Sequence, residues 1–235
     1  MIETEALNAG YKRLHVLFDV SITVPRNLLT VVVGPNGSGK STLLKTIFGL
    51  TKVYSGTIKL DGFDITGLPS YKIASHGISY VPQVDNIFGN LTVQENLLIA
   101  THGLRTEEST VNEVMEMFPH LKSFKNKKAA LMSGGERQML AIAMSLLRRP
   151  KVMLFDEPTA NLSPKMAKMI FDVIKDLRDR LGKSIVLAEQ NARKALEIGD
   201  KAVLLVSGRV VFQGDASSLL SHEELGKLYL GIKQG

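Results

Sequence analysis

The chain has 235 residues of ordinary globular composition, enough for one large domain with a buried core. It has no cysteine, which excludes disulfides, iron–sulfur clusters and thiolate zinc sites, and no apolar run near the roughly 18 residues of a membrane-spanning helix. The formal charge of +6 comes from scattered Lys and Arg, which suits a polyphosphate site better than a nucleic-acid stripe, so no nucleic-acid partner is expected.

In chain order, Met1 to Glu5 is acidic and lacks the basic-then-apolar form of a signal peptide, which predicts a cytoplasmic chain with at most peripheral membrane association. Leu28 to Val33 is a β-rich run, and a helical pattern follows through Leu43, Leu44 and Ile47. Between them Gly34-Pro35-Asn36-Gly37-Ser38-Gly39-Lys40-Ser41-Thr42 fits the phosphate-loop pattern G-x-x-x-x-G-K-[ST] in full. Its glycines let backbone N–H groups turn inward toward phosphate, and the helix behind presents its positive end to the same anion. Lys40 is expected at the β- and γ-phosphates of ATP, and the Ser41 hydroxyl at Mg²⁺. Ile58 to Phe63 reads as a hairpin turning on Asp61-Gly62.

From about Leu91 to Arg149 strand signals are weak, and Val93–Ala100, Val111–Phe118 and Glu136–Leu147 are helical in pattern. This predicts a helical lobe over 91–149 inserted into an α/β core of residues 1–90 and 150–235. Lys122 to Lys128 is read as a solvated helix end or loop. Val152 to Phe155 is a buried strand running into Asp156 and Glu157. Acids at the C-terminal edge of a parallel strand sit where such sheets bind ligands. Asp156 is expected to hold Mg²⁺ and Glu157 to act as general base on the attacking water. The helical stretch Pro164–Leu181, the strand Ile185–Ala188 and a hairpin of Val203–Val206 and Val210–Phe212 turning on Ser207-Gly208 complete a mostly parallel, buried sheet.

At Met132-Ser133-Gly134-Gly135-Glu136-Arg137-Gln138, between the phosphate loop and the acidic strand, the sequence resembles the Leu-Ser-Gly-Gly-Gln signature of ABC ATPases. Read alone, Ser133 is an N-cap and the glycines permit close approach to an anion. The resemblance extends over the whole chain and implies a P-loop NTPase fold with an N-terminal antiparallel β part. It implies Tyr11 stacking on adenine, Gln83 touching Mg²⁺ and Gln190 at the switch position. It further implies that Ser133, Gly134 and Gly135 cover the ATP of a second ATPase subunit. Within the family, Phe88 to Leu97 and Ala188-Glu189-Gln190-Asn191-Ala192 resemble the second ATPase of branched-chain amino acid importers. The implied partners are a second cassette, membrane permeases and, indirectly, a solute-binding protein.

Three departures stand out: Gln190 where His is usual, Glu136 where Gln is usual, and Ser163 where Asp is common. A neutral amide at the γ-phosphate forms a hydrogen bond worth about 0.5–1.5 kcal/mol, against about 1.5–3 for a charged partner, which leaves room for slower hydrolysis. The branched-chain subunits that the chain resembles share this feature, which argues against a dead site. Two other functions fit the same motifs: a non-transport ABC ATPase acting on ribosomes or DNA, and a weakly catalytic nucleotide-binding module. The first usually pairs two cassettes in one chain or carries coiled-coil insertions, and neither is present here.

Overall fold

The computed structural model describes residues 1–84, 86–102, 108–224 and 229. The elements run β1 (Ile2–Tyr11), β2 (Leu14–Val24), β3 (Leu29–Val33), α1 (Lys40–Ile47), β4 (Lys52–Leu60), β5 (Phe63–Asp64), α2 (Ser70–Ser75) and β6 (Ile78–Val81). Then come α3 (Val93–Thr101), α4 (Glu108–Met117), α5 (Pro119–Lys122), a short 3₁₀ turn (Ala129–Leu131) and α6 (Gly134–Leu147). The chain continues with β7 (Val152–Asp156), α7 (Pro164–Asp179), β8 (Ser184–Ala188), α8 (Ala192–Ile198), β9 (Lys201–Val206), β10 (Arg209–Asp215) and α9 (Ala216–Leu220).

The strands form two sheets, one ordered β2-β1-β4-β5 and the other β10-β9-β3-β8-β7-β6. In the larger sheet β9, β3, β8, β7 and β6 are parallel, and only the edge strand β10 is antiparallel. Every residue of β3, β7 and β8 is buried, because helices or the smaller sheet cover both faces. Alternate residues therefore enter two cores. Val32, Leu154 and Val186 face α1 and the antiparallel sheet, meeting Leu43, Leu44, Leu17 and Val20. Val31, Val33, Phe155 and Leu187 face the other way, meeting Ile170, Phe171 and Ile174 of α7. That second core continues into α3 to α6 through Leu97, Met139, Leu140 and Leu146.

Both expected hairpins are present. Asp61 and Gly62 have φ of 50° and 83°, and Ser207 and Gly208 have 48° and 75°, the doubly positive pair a two-residue hairpin turn demands. The expected helices differ only at their ends. α6 begins at Gly134 because Ser133 caps it, and α7 stops at Asp179, just before Gly182 at φ 58°. Lys122 to Lys128 is the end of α5 and the turn beyond it, with its lysines exposed. Of the expected C-terminal helices, α9 is present; residues 225–228 and 230–235 lie outside the described residues.

Candidate active site

Residues 34–39 leave β3 at its C-terminal edge and wrap back before α1. Gly34 has φ 152°, and a Cβ there would lie 2.0 Å from the Leu205 carbonyl oxygen and 2.8 Å from Ser38 Oγ. Only glycine permits this approach. The Ser38 N–H donates to the Pro35 carbonyl at 3.1 Å, closing the turn. No side chain caps α1, so the amides of its first turn are not claimed by a cap. Ser38 Oγ is buried without a hydrogen-bond partner. An uncapped helix start beside an orphaned buried hydroxyl fits an anion with several acceptor oxygens.

Lys40 is only 4% exposed. Its Nζ donates to the carbonyls of Gly34 (3.0 Å) and Pro35 (3.2 Å) and lies 3.7 Å from Glu157 Oε1. These oxygens occupy the ammonium in the way that phosphate oxygens would. Ser41 Oγ donates to Asp156 Oδ1 at 2.7 Å, and the Tyr80 hydroxyl donates to Asp156 Oδ2 at 2.8 Å. Glu157 follows at φ 48°, a left-handed conformation costly for any residue with a Cβ, and its N–H is held by the Ala188 carbonyl at 2.9 Å. The two adjacent acids are thus held differently: Asp156 by two hydroxyls, Glu157 at its side chain by one ammonium.

Asn36 to Thr42, Val16, Glu157 and Gln190 line one pocket of about 370 Å³. The expected loop residues Asn36 to Thr42, the general-base candidate and the switch residue are therefore brought together. Tyr11, Gly34, Pro35, Gln83, Asp156 and Ser133 to Gly135 are not on its wall, and Asp156 reaches it through Ser41. Tyr11 stands 39% exposed at the end of β1, beside the turn to β2. Gln83 lines a second cleft, of about 670 Å³, with Gly134, Arg137, Asn161 and Leu162.

At the signature, Ser133 caps α6 and Glu136 closes a capping box, its carboxylate accepting the Ser133 N–H at 2.7 Å. The departure at Glu136 thus has a local function in the fold. A Cβ on Gly135 would lie 3.0 Å from Met166 Cβ and Cγ and 2.4 Å from its Cε, so α7 packs directly on this glycine. Ser163 caps α7. Sequence reasoning missed three site residues. Tyr80 holds Asp156. Thr159 donates its N–H and hydroxyl to Glu189 Oε1 at 3.1 and 2.8 Å. Glu189 is 2% exposed, and burial pushes its carboxyl above the usual carboxylate range, with the nearby Glu157 charge adding to the rise. A charged residue closing an apolar strand run was the signal for Glu189; Tyr80 carried none.

A glycine loop cradling phosphate at the edge of a parallel sheet, with an acid on a nearby strand facing the loop's serine, defines a P-loop nucleotide hydrolase. Residues 17–160 match the ABC transporter family. The chain is 55% identical, over 99% of both sequences, to a probable branched-chain amino acid transport ATP-binding protein, LivF, of Archaeoglobus fulgidus. It is 39% identical to the high-affinity branched-chain amino acid transport ATP-binding protein BraG of Pseudomonas aeruginosa, over 98% of this chain and 100% of that one. The structure of a dimeric post-hydrolysis ATP-binding cassette bound to ADP and Pi matches with a TM-score of 0.80 at 27% identity, covering 92% of this chain and 99% of that one. The chain belongs to the ABC transporter family, as one of its ATP-hydrolysing cassettes. Among the described residues no helix is long and apolar enough to cross a membrane.

Proposed function

We propose that this chain powers the uptake of branched-chain or related amino acids, peripheral to the inner face of the membrane, by hydrolysing ATP between itself and a second cassette. The observation that carries the catalytic reading is the pocket shared by the phosphate loop, Glu157 and Gln190. The solute class is supported by the two branched-chain relatives, which match over nearly their full length.

In this reading the loop amides, Ser38 Oγ and Lys40 take the β- and γ-phosphates, and Lys40 exchanges its carbonyl partners for phosphate oxygens. Ser41 Oγ and Asp156 are hard oxygen donors already facing one another, a donor set that suits Mg²⁺. Bound there, the ion would neutralise phosphate charge. Glu157 accepts the proton of the attacking water, and Lys40, 3.7 Å from its Oε1, keeps the carboxylate directed at the pocket. Gln190 donates its amide to the γ-phosphate. Gln83 joins the cation, Tyr11 stacks on adenine, and Ser133, Gly134 and Gly135 cover the ATP of the partner cassette. Residues 91–149 move as one lobe against the 1–90 and 150–235 core when the pair closes, and transmit that movement to membrane permeases. A solute-binding protein delivers the amino acid to those permeases.

The test is Glu157→Gln. Steady-state ATPase should fall by about 10²–10⁴, the contribution of a general base, while ATP binding and ATP-dependent dimerisation persist. Unchanged turnover removes Glu157 from the mechanism. For the solute, the complex in proteoliposomes should hydrolyse ATP faster when its binding protein carries a branched-chain amino acid. Indifference to all of them refutes that assignment.

A further inference from the structure

Asp156 is buried, and each of its carboxylate oxygens has one hydrogen-bond partner. Ser41 takes Oδ1, on the pocket side, and the Tyr80 hydroxyl takes Oδ2. Tyr80 belongs to β6, the parallel neighbour of β7, in register with Leu154. Its ring leans along the strand direction and reaches Asp156 two residues further on. The ring is itself held, stacked on Phe48 with centroids 5.6 Å apart and planes at 28°. It also forms part of the wall of a groove of about 420 Å³ that Tyr71, Ala74, Ile99 and Arg148 help to line.

We propose that Tyr80 is a positioning residue for Asp156: its hydroxyl locks the carboxylate so that Oδ1 stays turned to Ser41 and to the divalent cation of the substrate. A carboxylate on a short side chain has one freely turning bond to its terminal group, and a single donor on Oδ1 leaves that rotation weakly opposed. A second donor on Oδ2 fixes the plane. The direction of the bond follows from the groups: the phenol hydroxyl donates, at 2.8 Å, and the carboxylate oxygen accepts. The groove adds a consequence. One side chain touches the groove with its ring and the cation-facing carboxylate with its tip, so a shift of the ring moves the carboxylate.

The proposal rests on Asp156 being the carboxylate that faces the cation, and the experiment separates the two. Tyr80→Phe deletes the hydroxyl and keeps the ring, its stack and the groove wall. Mn²⁺ serves as probe, its binding to the full-length protein with ADP read by electron paramagnetic resonance. Nucleotide affinity is measured separately in EDTA, and thermal unfolding reports on the fold. Mn²⁺ affinity should fall about 10–100-fold in Tyr80→Phe, the usual effect of removing a group that orients a metal ligand, with nucleotide affinity in EDTA unchanged. Asp156→Asn should weaken Mn²⁺ at least as much. If Asp156→Asn weakens Mn²⁺ and Tyr80→Phe does not, the role of Tyr80 is wrong while the reading of Asp156 stands. Unaltered Mn²⁺ binding in both variants overturns both. An equal loss of nucleotide affinity with and without metal shows a disrupted pocket and also overturns the positioning role.

Discussion

Glu189 offers a quantitative test of how the hydrolytic edge is held. Its carboxylate, 2% exposed at the end of β8, accepts both the N–H and the hydroxyl of Thr159. Thr159 follows Glu157 by two residues, and the Glu157 N–H itself bonds to the Ala188 carbonyl. The end of β8 and the loop after β7 are therefore tied together from both sides. Glu189→Ala strands the buried Thr159 N–H, at about 1–3 kcal/mol, and leaves a void on top of that, so a loss of roughly 2–4 kcal/mol is expected. Glu189→Gln keeps an oxygen acceptor and should stay within about 1 kcal/mol of the parent below the ordinary carboxylate range. The pH dependence has a definite sign. Burial raises the folded-state pKa of Glu189 above its unfolded value, so its contribution is fully present below the unfolded pKa and is lost as pH rises through the folded one. Glu189→Gln, which does not titrate, should gain on the parent across that window and hold its advantage above it. Urea unfolding of the three proteins from pH 4 to 8 reads these differences. An alanine variant as stable as the parent, or a glutamine variant that loses ground as pH rises, would refute the reasoning.

Two further outcomes follow from the loops. Ser133→Ala removes the N-cap of α6 and should cost about 1 kcal/mol, whereas Ser133→Asp restores the cap but sets a carboxylate where the partner's γ-phosphate is proposed to sit. The aspartate variant should therefore melt like the parent and yet fail to dimerise with ATP by light scattering; normal dimerisation contradicts the sandwich. Gly34→Ala drives a Cβ to 2.0 Å from the Leu205 carbonyl oxygen. That is strain in backbone with no room to move, and a loss of about 3 kcal/mol or more in urea unfolding is expected; a silent substitution contradicts the geometry.

The phosphate loop was legible in the sequence because its chemistry is contiguous: strand, glycine turn, lysine, hydroxyl and helix follow one another without a gap. The strands β3, β7 and β8 were legible for a related reason, since burial on both faces makes an unbroken apolar run. The same burial hid which residue faces which core, because both faces read alike. β1 and β2 were expected only as an antiparallel part and not placed. Their alternation is broken where Ala6 and Asp19 take φ of 45° and 51° and the register shifts between Thr4 and Leu7 and between Leu7 and Ala9. Tyr80 was invisible for a different reason. It meets Asp156 across 76 positions, through a strand pairing that no local pattern announces.

The distribution of motifs over two clefts supports the proposed sharing of ATP between two chains. The pocket holding Lys40, Glu157 and Gln190 contains nothing from the signature, while the second cleft collects Gln83, Gly134, Asn161 and Leu162 from three separated stretches. Together these residues form the surface proposed to cover the ATP of the partner cassette. Asn86 braces that surface, donating to the Pro82 carbonyl at 3.2 Å and to Gln138 Oε1 on α6 at 2.8 Å. The loop carrying Gln83 and the helix carrying the signature are thereby fastened to each other. A γ-phosphate held at Lys40 of one chain and covered by Ser133 of another would join the two kinds of cleft. Its loss on hydrolysis would release both at once, which is the property a motor needs.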